Sequence, residues 1–205
     1  MKVYTAEEMR RHEQMAVDKG ISFAQLMENA GSAAAGDLLK RFPQAGRALI
    51  VCGKGNNGGD GLVIARILQA AGWQADIVFV LGNELSPLAE SNRQKLLNLH
   101  GIEFAELNTC LKKPYALIID GIFGTGFTGS LPQAVAETCR SLNAMPGTKI
   151  ALDIPTGLNC DTAEADADTF QADITYTFAA YKPAHLNEAG KAYCGETLCL
   201  DIGIE

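Results

Sequence analysis

The spacing of apolar residues predicts two helices at the start of the chain. Thr5-Ala-Glu-Glu8 has the pattern of a capping box, so we expect a helix from there to about Asp18. A second helix is expected over 23–40, with Ser22 as its N-cap, because apolar residues recur there at helical spacing. Small Gly and Ala residues make part of this helix thin, which would let a neighbouring backbone pack closely.

After residue 47, short apolar runs alternate with helical patterns. Strands are predicted at 48–52, 74–80, 102–104, 115–119, 149–152, 173–178 and 197–201. Helices are predicted between them at 61–71, 86–100 and 132–142. This alternation indicates the α/β class, with a mainly parallel sheet covered on both faces. We predict one domain over 1–205, with the two N-terminal helices packed on the core or on a partner.

Composition excludes several classes of protein. The chain has 205 residues and a formal net charge of −7, which argues against general nucleic-acid binding because that needs a basic surface. None of the six cysteines forms a C-x-x-C motif, which argues against zinc. No apolar segment resembles a secretory signal or is long enough to span a bilayer. We therefore expect a cytoplasmic protein with free thiols and no membrane partner.

Carboxylates and small polar residues follow three of the predicted strands. Ligands of open parallel sheets bind beyond the carboxyl ends of the strands, so we expect these segments to form one site. The first segment is a glycine-rich loop at 53–61, the second is Asp120 with a glycine-rich loop at 121–129, and the third is Asp153-Ile-Pro-Thr156.

The two glycine-rich loops differ in how well they suit a phosphate. Gly53, Gly55 and Gly58 match G-x-G-x-x-G, but Asp60 lies where the next helix is predicted to begin and would repel a diphosphate. Asp60 suits a ribose hydroxyl or backbone N–H groups, or it only caps the helix. The loop at 124–130 combines glycines with three hydroxyls, so it is the better phosphate cradle, although a simple Gly-rich turn explains it too.

Asp120 and Asp153 end apolar strands without starting a helix at once, so helix capping explains them poorly. Two such carboxylates would repel each other unless they share a cation or a proton. Asn57 and Thr156 add neutral oxygens, and such a set suits a hard cation. Lys182 and His185 either line the same crevice or form an ordinary polar turn.

Four segments together resemble the NAD(P)HX epimerase family, the YjeF N-terminal domain. The likeness runs over nearly the whole chain in the same order. It implies a Rossmann-like three-layer α/β/α sandwich that often forms a homodimer. The segments are Leu26-Met-Glu-Asn-Ala-Gly31, Gly53-Lys-Gly-Asn-Asn-Gly-Gly-Asp-Gly61, Asp120-Gly-Ile-Phe-Gly-Thr-Gly126 and Asp153-Ile-Pro-Thr-Gly-Leu158.

The resemblance also implies an activity, which is interconversion of the R and S forms of hydrated NADH and NADPH (NADHX and NADPHX). This repair step lets an ADP- or ATP-dependent dehydratase, fused or separate, act on the S form. The chain ends, over 200–205, near the point where many bacterial relatives continue into that dehydratase. We therefore expect either a stand-alone epimerase or one half of a bifunctional protein.

Site residues follow from the resemblance by position. Asn57, Asp120 and Thr156 would hold one potassium ion (K+) per subunit. At position 156 the family resemblance leads us to expect serine as often as threonine. Asp153 is our candidate acid and base, which would protonate the leaving hydroxyl at C6 of the nicotinamide ring and then activate water. The residues implied to contact substrate are Asn56, Asn57, Gly58, Gly59, Asp60, Gly124, Thr125, Gly126, Phe127, Thr128, Gly129, Ser130 and Asp153.

Two other interpretations remain. The first is a binding or scaffold protein that uses the same fold without catalysis. The second is an NAD(P)-dependent dehydrogenase, which Asp60 disfavours. The dehydrogenase pattern also needs an acidic residue at the end of the second strand, whereas Asp76 begins that strand and Glu84 lies past it.

Overall fold

The computed structural model describes residues 1–204, and Glu205 lies outside the described residues. Seven strands and eight helices alternate along this part of the chain. The strands are β1 (Arg47–Cys52), β2 (Gln74–Phe79), β3 (Ile102–Phe104), β4 (Leu117–Gly121), β5 (Thr148–Leu152), β6 (Ile174–Phe178) and β7 (Glu196–Leu200). The helices are α1 (Ala6–Asp18), α2 (Phe23–Arg41), α3 (Asn56–Ala70), α4 (Pro87–Leu96), α5 (Leu107–Cys110), α6 (Gln133–Ala144), α7 (Pro183–Leu186) and α8 (Glu188–Cys194).

The seven strands form one parallel sheet in the order β3-β2-β1-β4-β5-β6-β7. Val51 of β1 pairs with Val78 on one side and with Asp120 on the other. The chain moves outward from β1 to β3, then returns to β4 beside β1 and moves outward in the other direction. This reversal creates a crevice at the carboxyl ends of β1 and β4, where ligands of such folds bind.

Side chains that alternate along β1 divide the core into two layers. Ala48, Ile50 and Cys52 pack in one hydrophobic cluster with residues of α1, α2, α3 and α4. Leu49 and Val51 pack in a second cluster with α6 on the opposite face. The predicted three-layer α/β/α sandwich is confirmed, and the two N-terminal helices pack on the core of this chain.

Several boundaries differ from the prediction. Helix α3 begins at Asn56, five residues before the predicted start, so the polar half of the first glycine-rich segment is helical. Its N-cap, Gly55, has no side chain to signal a start, and burial of the helix overrides the low helix propensity of glycine. Helix α4 ends at Leu96 rather than at His100, because Asn98 adopts a positive φ of 67°.

Three short helices, α5, α7 and α8, were not predicted, and Asp120 lies within β4 rather than after it. Across residues 1–204, each helix is too short or too polar to cross a membrane.

Candidate active site

A cavity of about 460 Å³ opens at the carboxyl ends of β1, β4 and β5, beside the reversal in strand order. Residues that follow these strands line it, as the sequence predicted. Helices α1 and α2 add further walls. The polar and charged lining residues are Glu13, Lys54, Asn56, Asn57, Asp60, Thr125, Asp153 and Lys182.

The predicted substrate residues divide into three groups. Those on the cavity wall are Asn56, Asn57, Asp60, Asp153 and the segment Gly124–Phe127. Thr128, Gly129 and Ser130 are exposed and lie outside this wall. Gly58 and Gly59 are buried in α3, where they contact protein rather than the cavity.

Two glycines of the G-x-G-x-x-G match serve internal packing. A Cβ on Gly53 would lie 2.1 Å from the carbonyl oxygen of Ile122, and one on Gly58 would lie 2.6 Å from the carbonyl oxygen of Gly53. Only Gly55 of the three faces open space. These glycines therefore allow the segments after β1 and β4 to approach each other closely, and the motif does not mark a diphosphate site here.

Asp153 is held by a buried cation that the sequence did not single out as functional. Its Oδ1 forms an ion pair with the ammonium of Lys182, whose side chain is 1% exposed. The Thr177 hydroxyl lies 3.3 Å from the same oxygen. Asp153 also has a φ of +65°, an uncommon conformation for a residue with a side chain. The carboxylate is therefore fixed in one position on the cavity wall.

Two further carboxyl groups face the same cavity. Burial raises the pKa of Asp60 well above its ordinary value, and the nearby charges of Asp153 and Glu13 raise it further. Burial also raises the pKa of Glu13, and Asp153 adds to that shift. A protonated Asp60 can therefore act as a proton donor in the cavity that also contains the ion pair of Asp153 and Lys182.

His185 is buried behind this pair and is neutral. Its Nδ1 accepts a hydrogen bond from the backbone N–H of Lys182 at 3.0 Å, which places the ring proton on Nε2. Burial lowers the pKa of His185 to about 4, and the charge of Lys182 contributes. The imidazole thus orients the backbone of Lys182 without adding charge to the cavity.

A second polar group lies below the cavity, around Asp120. This fully buried carboxylate accepts hydrogen bonds from the Thr156 hydroxyl at 2.7 Å, the Thr156 N–H at 2.8 Å and the Ile122 N–H at 3.0 Å. Burial raises the pKa of Asp120 to about 6, although these hydrogen bonds oppose the shift. Asp120 does not line the cavity, whereas Asp153 does, so the two carboxylates that we expected to face one crevice are separated.

Asn57 lies against the segment that contains Gly121 and Gly124, directly after Asp120. A Cβ on Gly124 would lie 3.4 Å from the side-chain Cγ of Asn57, and one on Gly121 would lie 3.0 Å from the backbone oxygen of Asn57. Both amide atoms of Asn57 are buried, and no residue within 1–204 forms a hydrogen bond with them. An unpaired buried amide is costly, so this position suits a bound ligand or ion.

Three charged residues of the cavity wall, Glu13, Lys54 and Lys182, were not predicted as site residues, although Lys54 lies within the first glycine-rich segment. Glu13 lies on α1, far from the glycine-rich motifs in sequence, and only the packing of α1 brings it to the cavity. Lys182 was weighed as a lining residue, but the short polar segment before α7 gave no signal that its ammonium is buried against Asp153.

Comparison with known proteins agrees with the fold and with the motifs. The family described as YjeF-related protein N-terminus matches residues 23–184. The chain belongs to this family. A crystal structure of the yeast protein ynu0, YNL200c, superposes with a TM-score of 0.80 at 23% identity and covers 97% of this chain and 87% of that one. This likeness to a solved structure supports the Rossmann-like fold.

YjeF-related relatives include both short and long proteins. A protein named NAD(P)H-hydrate epimerase from Limosilactobacillus fermentum is 35% identical over 96% of this chain and 95% of its own length. Another of that name, from Rhodopirellula baltica, is 40% identical over 87% of this chain and 75% of its own. The Bifunctional NAD(P)H-hydrate repair enzyme Nnr of Pyrobaculum aerophilum is 36% identical, and the chain spans 42% of its length.

Proposed function

We propose that this YjeF-related chain is an isomerase that interconverts the R and S forms of hydrated NADH and NADPH. The observation that carries this proposal is the Asp153 carboxylate, held by buried Lys182 on the wall of a cavity at the sheet's carboxyl end. The names of relatives that match nearly full length support the substrate class.

The proposed chemistry inverts one carbon of the reduced nicotinamide ring. The C6–O bond breaks when the hydroxyl takes a proton and leaves as water, and the electron pair of the ring nitrogen stabilises C6. Water then adds to the other face of C6 and loses a proton. Carboxyl groups close to C6 can perform these proton transfers, and we propose that Asp153 takes part in them.

The rest of the dinucleotide would lie along the second glycine-rich loop. Thr125 and Gly126 line the cavity, and a Cβ on Gly126 or Gly129 would meet no other atom within 4 Å. The backbone N–H groups of such an open loop can face a phosphate. Lys54 lines the cavity too and supplies a positive charge for the same phosphates.

We propose a potassium ion for the polar group around Asp120. The unpaired Asn57 amide, the Thr156 hydroxyl and the Asp120 carboxylate are hard oxygen donors, and we propose that they hold this ion. When bound, the ion would offset the Asp120 charge and fix the segments after β1, β4 and β5. Asn57 also borders the cavity, which would link ion binding to substrate binding.

The test is an epimerisation assay with purified R-NADHX, followed by chromatography that resolves the two forms. The wild-type chain should form S-NADHX well above the spontaneous rate. Asp153→Asn should lower that rate by about 100-fold or more, because proton transfer by a positioned group contributes a factor of this size. Asp168→Asn is a matched control, since the Asp168 carboxylate pairs with the exposed Arg140 and does not line the cavity, and it should keep full activity.

A wild-type rate equal to the spontaneous rate would favour the non-catalytic binding module, and full activity of Asp153→Asn would exclude the role of Asp153. A homodimer stays a prediction from the resemblance, and a cytoplasmic location stays a prediction from the composition of the chain. A dehydratase partner stays a proposal as well, supported by relatives named as bifunctional repair enzymes.

A further inference from the structure

The ammonium of Lys182 contacts only one of the three carboxyl groups on the cavity wall. Besides Asp153, it donates to the Thr177 hydroxyl at 2.8 Å and lies 3.2 Å from the Phe178 carbonyl oxygen and 3.3 Å from that of Ala180. An ammonium has three protons to donate. These four acceptors therefore leave Lys182 no free donor for another group in the cavity.

Asp153 keeps one oxygen free for a ligand. The contacts from Lys182 and Thr177 both go to Oδ1. Within residues 1–204, no group donates a hydrogen bond to Oδ2, although Asp153 lines the cavity. One oxygen thus anchors the carboxylate and the other can interact with substrate or with water.

Asp60 lies in a different environment on the same wall. It is part of α3, which packs between the sheet and α2, so its backbone is fixed. Within the described chain, no donor forms a hydrogen bond with the carboxyl group of Asp60. The charge of Lys182 lowers the pKa of Asp60 without a direct contact. The other charged groups that face it, Asp153 after β5 and Glu13 on α1, are acidic. Both burial and these neighbours favour the neutral acid.

We propose that Lys182 is a positioning residue that holds Asp153 as the ionised carboxylate of the cavity and so leaves Asp60 to carry the catalytic proton. This inference rests on the proposed epimerase function and assigns the two proton transfers to different carboxyl groups. The division follows the rule that an enzyme separates acid from base by giving them different surroundings.

The step balances with water as the only co-reactant. In the R to S direction, the Asp60 proton goes to the C6 hydroxyl oxygen, the C6–O bond breaks, and water leaves with the bonding electrons. The ring nitrogen then shares its electron pair with C6, and the Asp153 carboxylate offsets the positive charge. Water adds to the opposite face of C6 and gives its proton to Asp153. Water returns that proton to Asp60, and the S to R direction uses the same groups in reverse.

The kinetic test separates positioning from a merely structural effect. Lys182→Met should lower kcat by about 100-fold with KM changed by less than about threefold, and Lys182→Arg should restore part of the loss because it keeps the charge. Asp60→Asn should lower kcat to a similar extent and remove the fall in rate at high pH, since that fall reports loss of the acid's proton. If Lys182→Met changes only KM and leaves kcat unaltered, Lys182 is not a positioning residue for catalysis. If Asp60→Asn keeps the pH profile of the wild type, Asp60 is not the proton donor.

A second measurement needs no turnover. The carboxyl carbon of Asp60, followed by 13C NMR in protein labelled at aspartate, should titrate above the ordinary aspartate range. Asp153→Asn should lower the pKa of Asp60 because it removes a neighbouring negative charge, whereas Lys182→Met should raise it because it removes a positive one. Asp168→Asn, a distant surface change, should leave it unaltered.

The two measurements distinguish the possible failures. If the wild-type chain does not epimerise R-NADHX, the proposed function and the catalytic roles of Asp60 and Asp153 fail together. The NMR titration then still decides whether Asp60 is the protonated carboxyl group of the cavity. If the chain is active but Asp60 titrates in the ordinary range, or Asp153→Asn does not lower its pKa, this inference fails while the proposed function stands. Wild-type and Asp153→Asn protein suffice for that decision if Lys182→Met does not fold.

Discussion

Carboxylates with cationic partners occur at both ends of the sheet, and their contacts show what each one does. Asp153 has one cationic partner and one free oxygen, and it faces a cavity. Asp76, at the amino end of β2, is surrounded by donors. Arg47 contacts it at 2.8 Å, Lys113 contacts it at 2.9 Å, and the Tyr115 hydroxyl contacts it at 2.5 Å. No oxygen of Asp76 is left for a ligand, which indicates a structural role.

The surroundings of Asp76 predict a pH dependence of stability. Burial alone would raise its pKa, but the hydrogen bonds from Tyr115, Lys113 and Arg47 outweigh burial and lower the pKa below the ordinary 3.8. The stabilisation is therefore complete above that value and is lost as pH falls through the folded-state pKa. Asp76→Asn should lower the free energy of unfolding by about 2 kcal/mol at pH 7, because charged hydrogen bonds are lost.

Urea unfolding of the wild type and of Asp76→Asn, measured from pH 7 down to pH 3, checks this prediction. The difference in free energy of unfolding between the two proteins should begin to shrink below about pH 4, where the unfolded chain starts to take up the Asp76 proton, and should shrink further towards the lower folded-state pKa. Asp168→Asn serves as the control, because Asp168 is in an exposed ion pair. If the difference in free energy of unfolding stays constant over this pH range, the ionised Asp76 carboxylate is not the source of the stabilisation.

At the scale of elements, close contact between α2 and α3 sets the shape of the site. A Cβ on Gly31 of α2 would lie 2.5 Å from the Val63 Cβ of α3 and 3.1 Å from the backbone oxygen of Asp60. The sequence predicted such close packing from the run of small residues in α2, and the structure confirms it. Gly31 thus allows α3 to hold Asp60 at the cavity.

Two glycines of one helix give a matched test of this contact. Gly31→Ala should destabilise the protein by about 1–3 kcal/mol, the usual cost of overpacking, and should slow epimerisation because α3 must shift. Gly36→Ala should raise stability by about 0.5–1 kcal/mol, since a Cβ there meets nothing within 4 Å and alanine favours a helix. Thermal unfolding and the R-NADHX assay check both variants. Equal effects of the two substitutions would exclude tight packing at Gly31.

Local signals explain which elements were predicted well. The start of α1 was predicted correctly because Thr5 and Glu8 form the capping box with each other, and no distant residue is needed. The start of α3 was missed because Gly55 carries no cap and three glycines follow within six residues. That helix forms because its apolar face is buried between the sheet and α2, and a window of neighbouring residues does not contain this information.

For the whole molecule, topology explains why only part of the site was predictable. The residues that follow β1, β4 and β5 were predicted to meet, because parallel strands bring their carboxyl ends to one edge. Glu13 was missed because α1 reaches the cavity through contacts far apart in sequence. The Ala6 N–H binds the Asp161 carboxylate at 2.8 Å, and Val3 pairs with Tyr181. Neither contact leaves a pattern in the sequence.

The proposed potassium ion would act on the whole molecule, because its donors lie in β4 and in the segments after β1 and β5. An ion that binds only the folded chain stabilises it by an amount that grows with the logarithm of the ion concentration, about 2.7 kcal/mol at 100 times its Kd. The wild type should therefore have a higher Tm in potassium chloride than in tetramethylammonium chloride of equal concentration. Sodium chloride, as a third arm, tests whether the site distinguishes between the two alkali ions.

Asn57→Leu separates ion binding from a general effect of salt. Leucine has a similar size but no oxygen, so the variant should lose the difference between potassium and tetramethylammonium. In tetramethylammonium chloride, its Tm should equal or exceed that of the wild type, because leucine removes a buried amide that has no hydrogen-bond partner in residues 1–204. If the wild type has the same Tm in both salts, or if Asn57→Leu still responds to potassium, Asn57 does not bind the ion.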